Sequence, residues 1–433
     1  MILRRPKIQL QASLISIFYL ALVFEIINIA YYYYYFRQYH YLPSPFILDK
    51  KDTFMDFYHP LYWALKDQFY GSFKSVYPPI NDVILSFFRI GISEKNIDNS
   101  FDLRQRYPNI ILIVLVIYLF IIGVVTRLGK WHEVKVIPSW LICVVCALSV
   151  PVLFALERGN LIFLALLFLA LYLNAGLDWK KAFFLAVLIN IKPYFALLLI
   201  QYLNKYHINK RMIFYTMAFT IAIFFLFGLF TDINYIEFFK TYILFSNKAT
   251  LSSDGVVSLA HNLSALSRIK ELLYYNNHPH YNFWFSILKV LSPLSVLFLV
   301  YWAIFKPLNS LELLVAVFII LTNFSVSTGG YILIIYIVLL PYLMDSKEYQ
   351  KLILPILAIF TLPVDWVLLF NIPYPFMNSY LGGVDLTGAN GDYWIAVGSV
   401  VRPILNYIIL IMFLVHLLRK YPFLKQSPNI GNL

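Results

Sequence analysis

The sequence predicts an all-α fold, a polytopic transmembrane helical bundle with short extracytoplasmic helices and a re-entrant hairpin. Three observations carry this. Of 433 residues, 61% are hydrophobic and 13% charged, whereas soluble domains carry about 25% charged residues. Long apolar runs recur from end to end of the chain. Lys and Arg gather in the short connections between those runs, where positive charge orients membrane spans.

A span needs about 20 mostly apolar residues. Apolar runs occur near 10–34, 109–126, 136–155, 160–174, 182–203, 212–230, 282–304, 311–324, 330–344, 351–370 and 396–418, which predicts roughly ten spans. Arg4, Arg5 and Lys7 place the N-terminus in the cytoplasm. The first run is too long for a secretory signal and shows no small-residue cleavage site, so it reads as an uncleaved span. Arg127, Lys130 and Lys135 mark the next inside connection, and Lys180 with Lys181 the one after it. If 182–203 crossed once, Lys205, Lys210 and Arg211 would lie outside and every later cluster would invert. If it enters and returns, Lys306, Lys347, Lys351, Arg419, Lys420 and Lys425 all fall inside. Its centre is Asn190-Ile191-Lys192-Pro193, where proline interrupts the helical ladder. Such backbone is tolerated at membrane depth only where it lines a cavity. The run 182–203 is therefore expected to be a hairpin with Lys192 near its tip. No internal repeat is evident, so 1–433 reads as one membrane domain with outer loops 35–108, 231–281 and 371–395.

The formal charge of +12 is explained by the inside connections and does not imply nucleic acid. Tyr31 to Tyr35 form a run of tyrosines, expected at an interfacial belt. Cys143 and Cys146 lie three apart in an apolar run and read as small core residues rather than a metal or redox pair.

Candidate chemistry collects in outer segments. The first loop contains Asp49, Asp52, Asp56, His59 and Pro60, and then Tyr77-Pro78-Pro79-Ile80-Asn81-Asp82. A carboxylate just past the first span meets the headgroup of a lipid-linked substrate and can act as general base on a hydroxyl; the plainer reading is a set of solvated loop charges. The turn Glu157-Arg158-Gly159-Asn160 is squeezed between two apolar runs. Arg beside Gly suits an anion such as phosphate, and a local Glu–Arg ion pair is the plainer reading. Lys192, in the middle of an apolar run, is a functional-site hypothesis by default, against snorkelling to the interface. Glu25 and Asp365, also inside apolar runs, are proton-relay candidates. The outer loop 231–281 carries His261, Asn262, Ser264, Arg268, His278 and His280. His278-Pro279-His280 lacks an accompanying carboxylate or Cys at ligand spacing, so no metal is expected there.

The order of these motifs resembles glycosyltransferase family 87, polytopic C-type glycosyltransferases that use polyprenyl-phosphate sugars. The residues that carry the resemblance are Asp56-Phe57, Gly71, Tyr77-Pro78-Pro79, Gly159-Asn160, Lys192-Pro193-Tyr194 and Asn262-Leu263-Ser264, spread over about 45–345. The chain departs from the family at Ser325-Val326-Ser327-Thr328-Gly329-Gly330, where the family often has Ser-Pro and a polar aromatic residue or His. The resemblance implies Asp56 as general base and transfer of a hexose, typically mannose, with inversion from a polyprenyl-phosphate sugar. The acceptor would be a lipid-linked species or a glycan. Lys192, Arg158, Glu157, Asn160, Tyr77, Asn262 and His261 become the donor-binding candidates. No metal or other cofactor is expected, since Lys and Arg can hold a monophosphate leaving group. The resemblance also implies the plasma (inner) membrane, with the site facing the extracytoplasmic side and contact with membrane lipids. The alternatives are a polymerase or ligase of lipid-linked oligosaccharides, and a lipid or sugar transporter. Transporters usually show paired broken helices in repeated halves, and here there is one broken hairpin.

Overall fold

The computed structural model describes residues 5–39, 53–66, 70, 75, 77–93, 97–128, 137–231, 233–240, 281–324, 330–362, 367–371 and 392–421. The architecture is a helical bundle, as the sequence predicts. Helix α1 (Arg5–Tyr39) is followed by three short helices: α2 (Met55–Leu65), α3 (Pro79–Ser86) and α4 (Ser100–Arg106). Then come α5 (Asn109–Arg127), α6 (Ser139–Leu148), α7 (Val150–Arg158), α8 (Ile162–Asn174), α9 (Asp178–Ile191) and α10 (Lys210–Phe230). The C-terminal part contains α11 (Tyr281–Phe305), α12 (Ser310–Phe324), α13 (Tyr336–Asp345), α14 (Ile353–Thr361) and α15 (Val397–Lys420). Among the described residues, α1 over Ser13–Tyr34, α5 and α10 are long and apolar enough to cross a membrane singly. The apolar helical stretches over 162–174, 310–323, 331–345 and 350–361 are shorter than a full span needs.

Proline explains several of the shortfalls. The run 136–155 bends by 55° between α6 and α7. Ser149 is extended at the break (φ −60°, ψ 143°) and Pro151 opens α7, with no N–H to continue the ladder from α6. The run 351–370 stops as a helix at Thr361. Leu362 precedes Pro363 and adopts ψ 125°, the extended conformation that a following proline imposes. Beyond it, within an otherwise helical bundle, lies a short antiparallel ladder of β1 (Val367–Asn371) and β2 (Asp392–Ala396), registering Val367 with Ala396 and Asn371 with Asp392. Two β segments bracketing 372–391 can pair their backbone groups locally, as a helix broken by proline cannot.

The bundle centre is built from α8, α12 and α13. Val315 to Ile320 and Ile334 to Ile337 are all fully buried, so the middle of α12 and the entry to α13 are enclosed on every side by protein. On α10, Phe214, Leu226, Leu229 and Phe230 are exposed, the pattern of a lipid-facing helix. Polar groups inside the bundle are used to close backbone accounts. The Arg402 guanidinium donates to the carbonyls of Ile359 (3.2 Å) and Leu362 (2.7 Å), and Asn28 Nδ2 to that of Thr361 (2.9 Å). These cap the C-terminal end of α14, whose last carbonyls have no intrahelical donors. Glu25 on α1 is fully buried, with both carboxylate oxygens unpartnered among the described residues. Asp365, the other relay candidate, lies outside the described residues.

One reversal of the chain bears on the site. Helix α9 ends at Ile191, and a 3-10 helix, Pro193–Tyr202, runs back along it. Asn209 Nδ2 then donates to Asp178 at the start of α9 (3.3 Å), and the Tyr172 and Tyr202 hydroxyls meet at 2.7 Å. The return limb thus comes back to the end of α8 and the start of α9, with Lys192 at the turn.

Candidate active site

Two left-handed residues create the site. Phe54, just before α2, has φ 65° and ψ 13°, and Gly159, just after α7, has φ 63°. The Phe54 N–H donates to the Glu157 carbonyl (2.7 Å), joining the start of α2 to the end of α7. A Cβ on Gly159 would come within 2.6 Å of the Phe54 ring and 2.9 Å of Phe57 Cβ. Glycine is required here both by conformation and by the close approach.

The junction brings Asp56, in the first turn of α2, against Arg158, the last residue of α7. Both Nε (3.1 Å) and Nη2 of Arg158 donate to Asp56 Oδ1, and Asn160 Nδ2 donates to Oδ2 (2.6 Å). Asn160 is held in turn, because its Oδ1 accepts the Ile162 N–H (3.0 Å) at the entry to α8. The Tyr118 hydroxyl donates to the Gly159 carbonyl (3.2 Å), and its ring stacks on Phe163 at 4.3 Å. Arg158 and Asn160 are buried, and Asp56 retains partial exposure. Burial alone would raise the Asp56 pKa. The charge and hydrogen bonds of Arg158, then Asn160, then the charge of Lys192 outweigh it and hold the carboxyl below its usual range. The position at a helix N-terminus acts in the same direction.

Lys192 approaches from the α9 turn. Its side chain is buried, and Nζ lies 4.3 Å from the centre of the Tyr77 ring and 5.8 Å from that of Tyr331. These are cation–π distances, and among the described residues the ammonium makes no hydrogen bond or ion pair. Its position is fixed by Asn81 of α3, whose Nδ2 donates to the carbonyls of Pro78 (3.1 Å), Asn190 (3.2 Å) and Ile191 (3.3 Å). One buried amide thus ties the Tyr77-Pro78-Pro79 loop to the residues just before Lys192. Burial, and then the Asp56 charge, push the Tyr77 hydroxyl well above its ordinary pKa, so it stays neutral.

Of the candidates, the structure brings together Asp56, Arg158, Asn160, Lys192 and Tyr77. Glu157 is buried beside them and supplies its carbonyl to Phe54. Arg158 is engaged by Asp56, 102 residues away in sequence. Asn262, His261, Gly71, Asp49 and Asp52 lie outside the described residues, as do 325–329. Thr322, near the end of α12, belongs to the core, its hydroxyl meeting that of Tyr336 (2.9 Å) and its carbonyl accepting from Asn406 Nδ2 (3.1 Å). Tyr118, Tyr331 and Asn81 carry no distinctive signal in the sequence: tyrosines inside apolar runs look like core residues, and an Asn shortly after Pro-Pro looks like part of a turn.

Among the described residues one group could ligate a metal: Glu312, Glu348 and His416, with ligand atoms within 4.8 Å of one another. It sits at the first turn of α12, and Lys420 Nζ is already 2.7 Å from Glu312 and 3.3 Å from Glu348. An ammonium occupies the cation's place.

The family model for glycosyltransferase family 87 matches residues 105–328, a little over half of the chain. The chain belongs to glycosyltransferase family 87. No curated protein and no solved structure matches it. This family 87 glycosyltransferase is accordingly a membrane enzyme that transfers sugar. The matched stretch includes Arg158, Asn160 and Lys192, and Asp56 and Tyr77 lie before it. The junction of α2 with α7 is what brings the two parts together. Chemically, the arrangement offers a carboxylate that can take a proton, two cations that can hold an anion, and aromatic faces beside them.

Proposed function

We propose that this glycosyltransferase moves a hexose, mannose in the first instance, from a polyprenyl-phosphate sugar to a hydroxyl of a lipid-linked or glycan acceptor. The reaction inverts the anomeric centre and takes place on the extracytoplasmic side of the plasma (inner) membrane. The observation that carries the reading is the meeting of Asp56, Arg158 and Lys192 from three separate stretches of chain, in a chain of this family. The acceptor oxygen forms a bond to the anomeric carbon as the bond from that carbon to the phosphate oxygen breaks. The sugar leaves polyprenyl phosphate behind, and Asp56 takes the hydroxyl proton. Charge builds on the phosphate during this step, and Lys192 and Arg158 would stabilise it. The ammonium of Lys192, bounded by Tyr77 and Tyr331, has N–H donors to give to phosphate oxygens. The aromatic faces suit a sugar ring, and Tyr77, Asn160 and Glu157 line the same junction. His261 and Asn262 are assigned to the donor on the resemblance alone. This chemistry uses no metal.

The test incubates the purified protein with a labelled polyprenyl-phosphate hexose and lipid or glycan acceptors. Transfer is expected, with Asp56→Asn lowering kcat by on the order of 10²- to 10⁴-fold. Transfer that survives Asp56→Asn would refute the base. Transfer only from pyrophosphate-linked donors would favour a lipid-linked oligosaccharide polymerase or ligase, and flux into vesicles without transfer would favour a transporter.

A further inference from the structure

We propose that Arg158 is a donor-operated latch on Asp56. Before the donor arrives Arg158 covers the carboxylate, and the donor phosphate draws the guanidinium away so that Asp56 can receive the acceptor hydroxyl. The inference rests on the reading of Asp56 as the base.

The geometry creates the need for such a step. An ionised carboxylate offers about four lone-pair directions. On Asp56 three hydrogen bonds are already made, two from Arg158 to Oδ1 and one from Asn160 to Oδ2. A base must come within about 2.6–3.2 Å of the hydroxyl proton it removes, and the side facing Arg158 is closed to one. The same ion pair makes Asp56 a weaker proton acceptor than a free carboxylate.

The geometry also supplies the release. A phosphodiester carries one negative charge over two non-bridging oxygens, the pattern that an Arg fork binds bidentately. Lys192 is positioned to receive that anion first, since its ammonium is held by the ring faces of Tyr77 and Tyr331 rather than by a carboxylate. When Arg158 turns to the phosphate, Asn160 keeps hold of Oδ2, and Asn160 is itself fixed by Ile162 N–H. The carboxylate therefore stays in place as it loses its cation. Division of labour follows: Asn160 positions, Arg158 latches. The charged and titratable groups facing Asp56 are Arg158, Lys192, Tyr77 and Tyr118. Tyr77 stays neutral, and Arg158, which bonds the Asp56 carboxylate directly, is the strongest charged lever on its basicity. Donor before acceptor becomes the binding order.

Two measurements test the latch. In the first, kcat/KM for the donor reports Asp56 in the free enzyme, and kcat/KM for the acceptor at saturating donor reports it with donor bound. The acid limb of the second is expected about one pH unit above the first, a tenfold change in proton affinity. In Arg158→Gln the two limbs should coincide, and in Arg158→Lys the separation should partly return. Coincident limbs in the wild type, or an undiminished separation in Arg158→Gln, would overturn the latch and leave the base assignment standing. The second measurement needs no turnover. Polyprenyl monophosphate is added to the protein and the infrared carboxylate stretch of Asp56, identified by its loss in Asp56→Asn, is followed. A shift in the wild type that is missing in Arg158→Gln supports the latch. Binding without a shift overturns it, and a failure of polyprenyl monophosphate to bind overturns the latch together with the donor reading.

Discussion

Asp56 and Arg158 are separated by a hundred residues and meet because two backbone positions tolerate a left-handed conformation. Gly159 is the more constrained of the two. Gly159→Ala would combine a positive φ with contacts of 2.6–2.9 Å to Phe54 and Phe57, at a cost on the order of 2–4 kcal/mol from backbone strain and overpacking. A Tm several degrees lower and a loss of transfer that cooling partly restores are the expected outcomes. Lys192→Met should act differently, raising the donor KM at least about tenfold with Tm little changed, because it removes a desolvated charge whose partners here are ring faces. Lys192→Arg is expected to recover only part, since a planar fork does not fit the space between two tyrosine rings as an ammonium does. Transfer measured after exhaustive chelation with EDTA should match the untreated enzyme. Asp56, Arg158 and Lys192 were legible in the sequence because ionisable groups stand out in apolar surroundings. Tyr331, Tyr118 and Asn81 were not, since their significance comes from contacts that no local pattern encodes.

At the level of elements, the short helices are held at their ends by side chains from elsewhere in the bundle. Helix α14 stops nine residues after it starts, and its exposed carbonyls are taken by Arg402 and Asn28. Arg402→Leu would leave the carbonyls of Ile359 and Leu362 without donors in an apolar setting, at roughly 1–3 kcal/mol, read as a lower midpoint in detergent unfolding with kcat per folded molecule unchanged. The number and position of apolar runs were readable from composition. Their use as helices was not, because proline decides whether a run is one helix or two. Pro151 and Pro363 are plain in the sequence, yet the bend at Ser149 and the β1–β2 ladder follow only once neighbouring elements supply or withhold hydrogen-bond partners. The ladder reflects the same competition, since Val367 to Phe370 looks like the end of a span until the helix before it is broken.

Across the whole molecule, the two ends of the bundle are organised differently. One end holds the Asp56 junction. At the first turn of α12, Glu312 accepts from Lys420 (2.7 Å), Tyr349 (3.0 Å), Tyr421 (2.9 Å) and the Asn309 N–H (2.7 Å), tying α12 to the end of α15. Lys420→Met would leave a fully buried carboxylate without its cation and should lower the unfolding midpoint without altering the donor KM. Sidedness is read by cysteines placed at Lys181 and Asn209, which the re-entrant reading expects to be labelled from the cytoplasmic side alike; opposite labelling would sink that reading. The reversal at Lys192-Pro193 also has a consequence for biogenesis. If 178–209 is re-entrant, as proposed, neither limb can be handed to the bilayer by itself, since α9 alone would strand a lysine at its leading end and the 3-10 limb alone is ten residues long. On the proposed re-entrant reading the insertion machinery must accept the two as one hairpin, so a ribosome stalled just past Lys192 should hold a segment that is not yet membrane-integrated, and the lysine proposed to serve the donor is carried in only when its return path has been made.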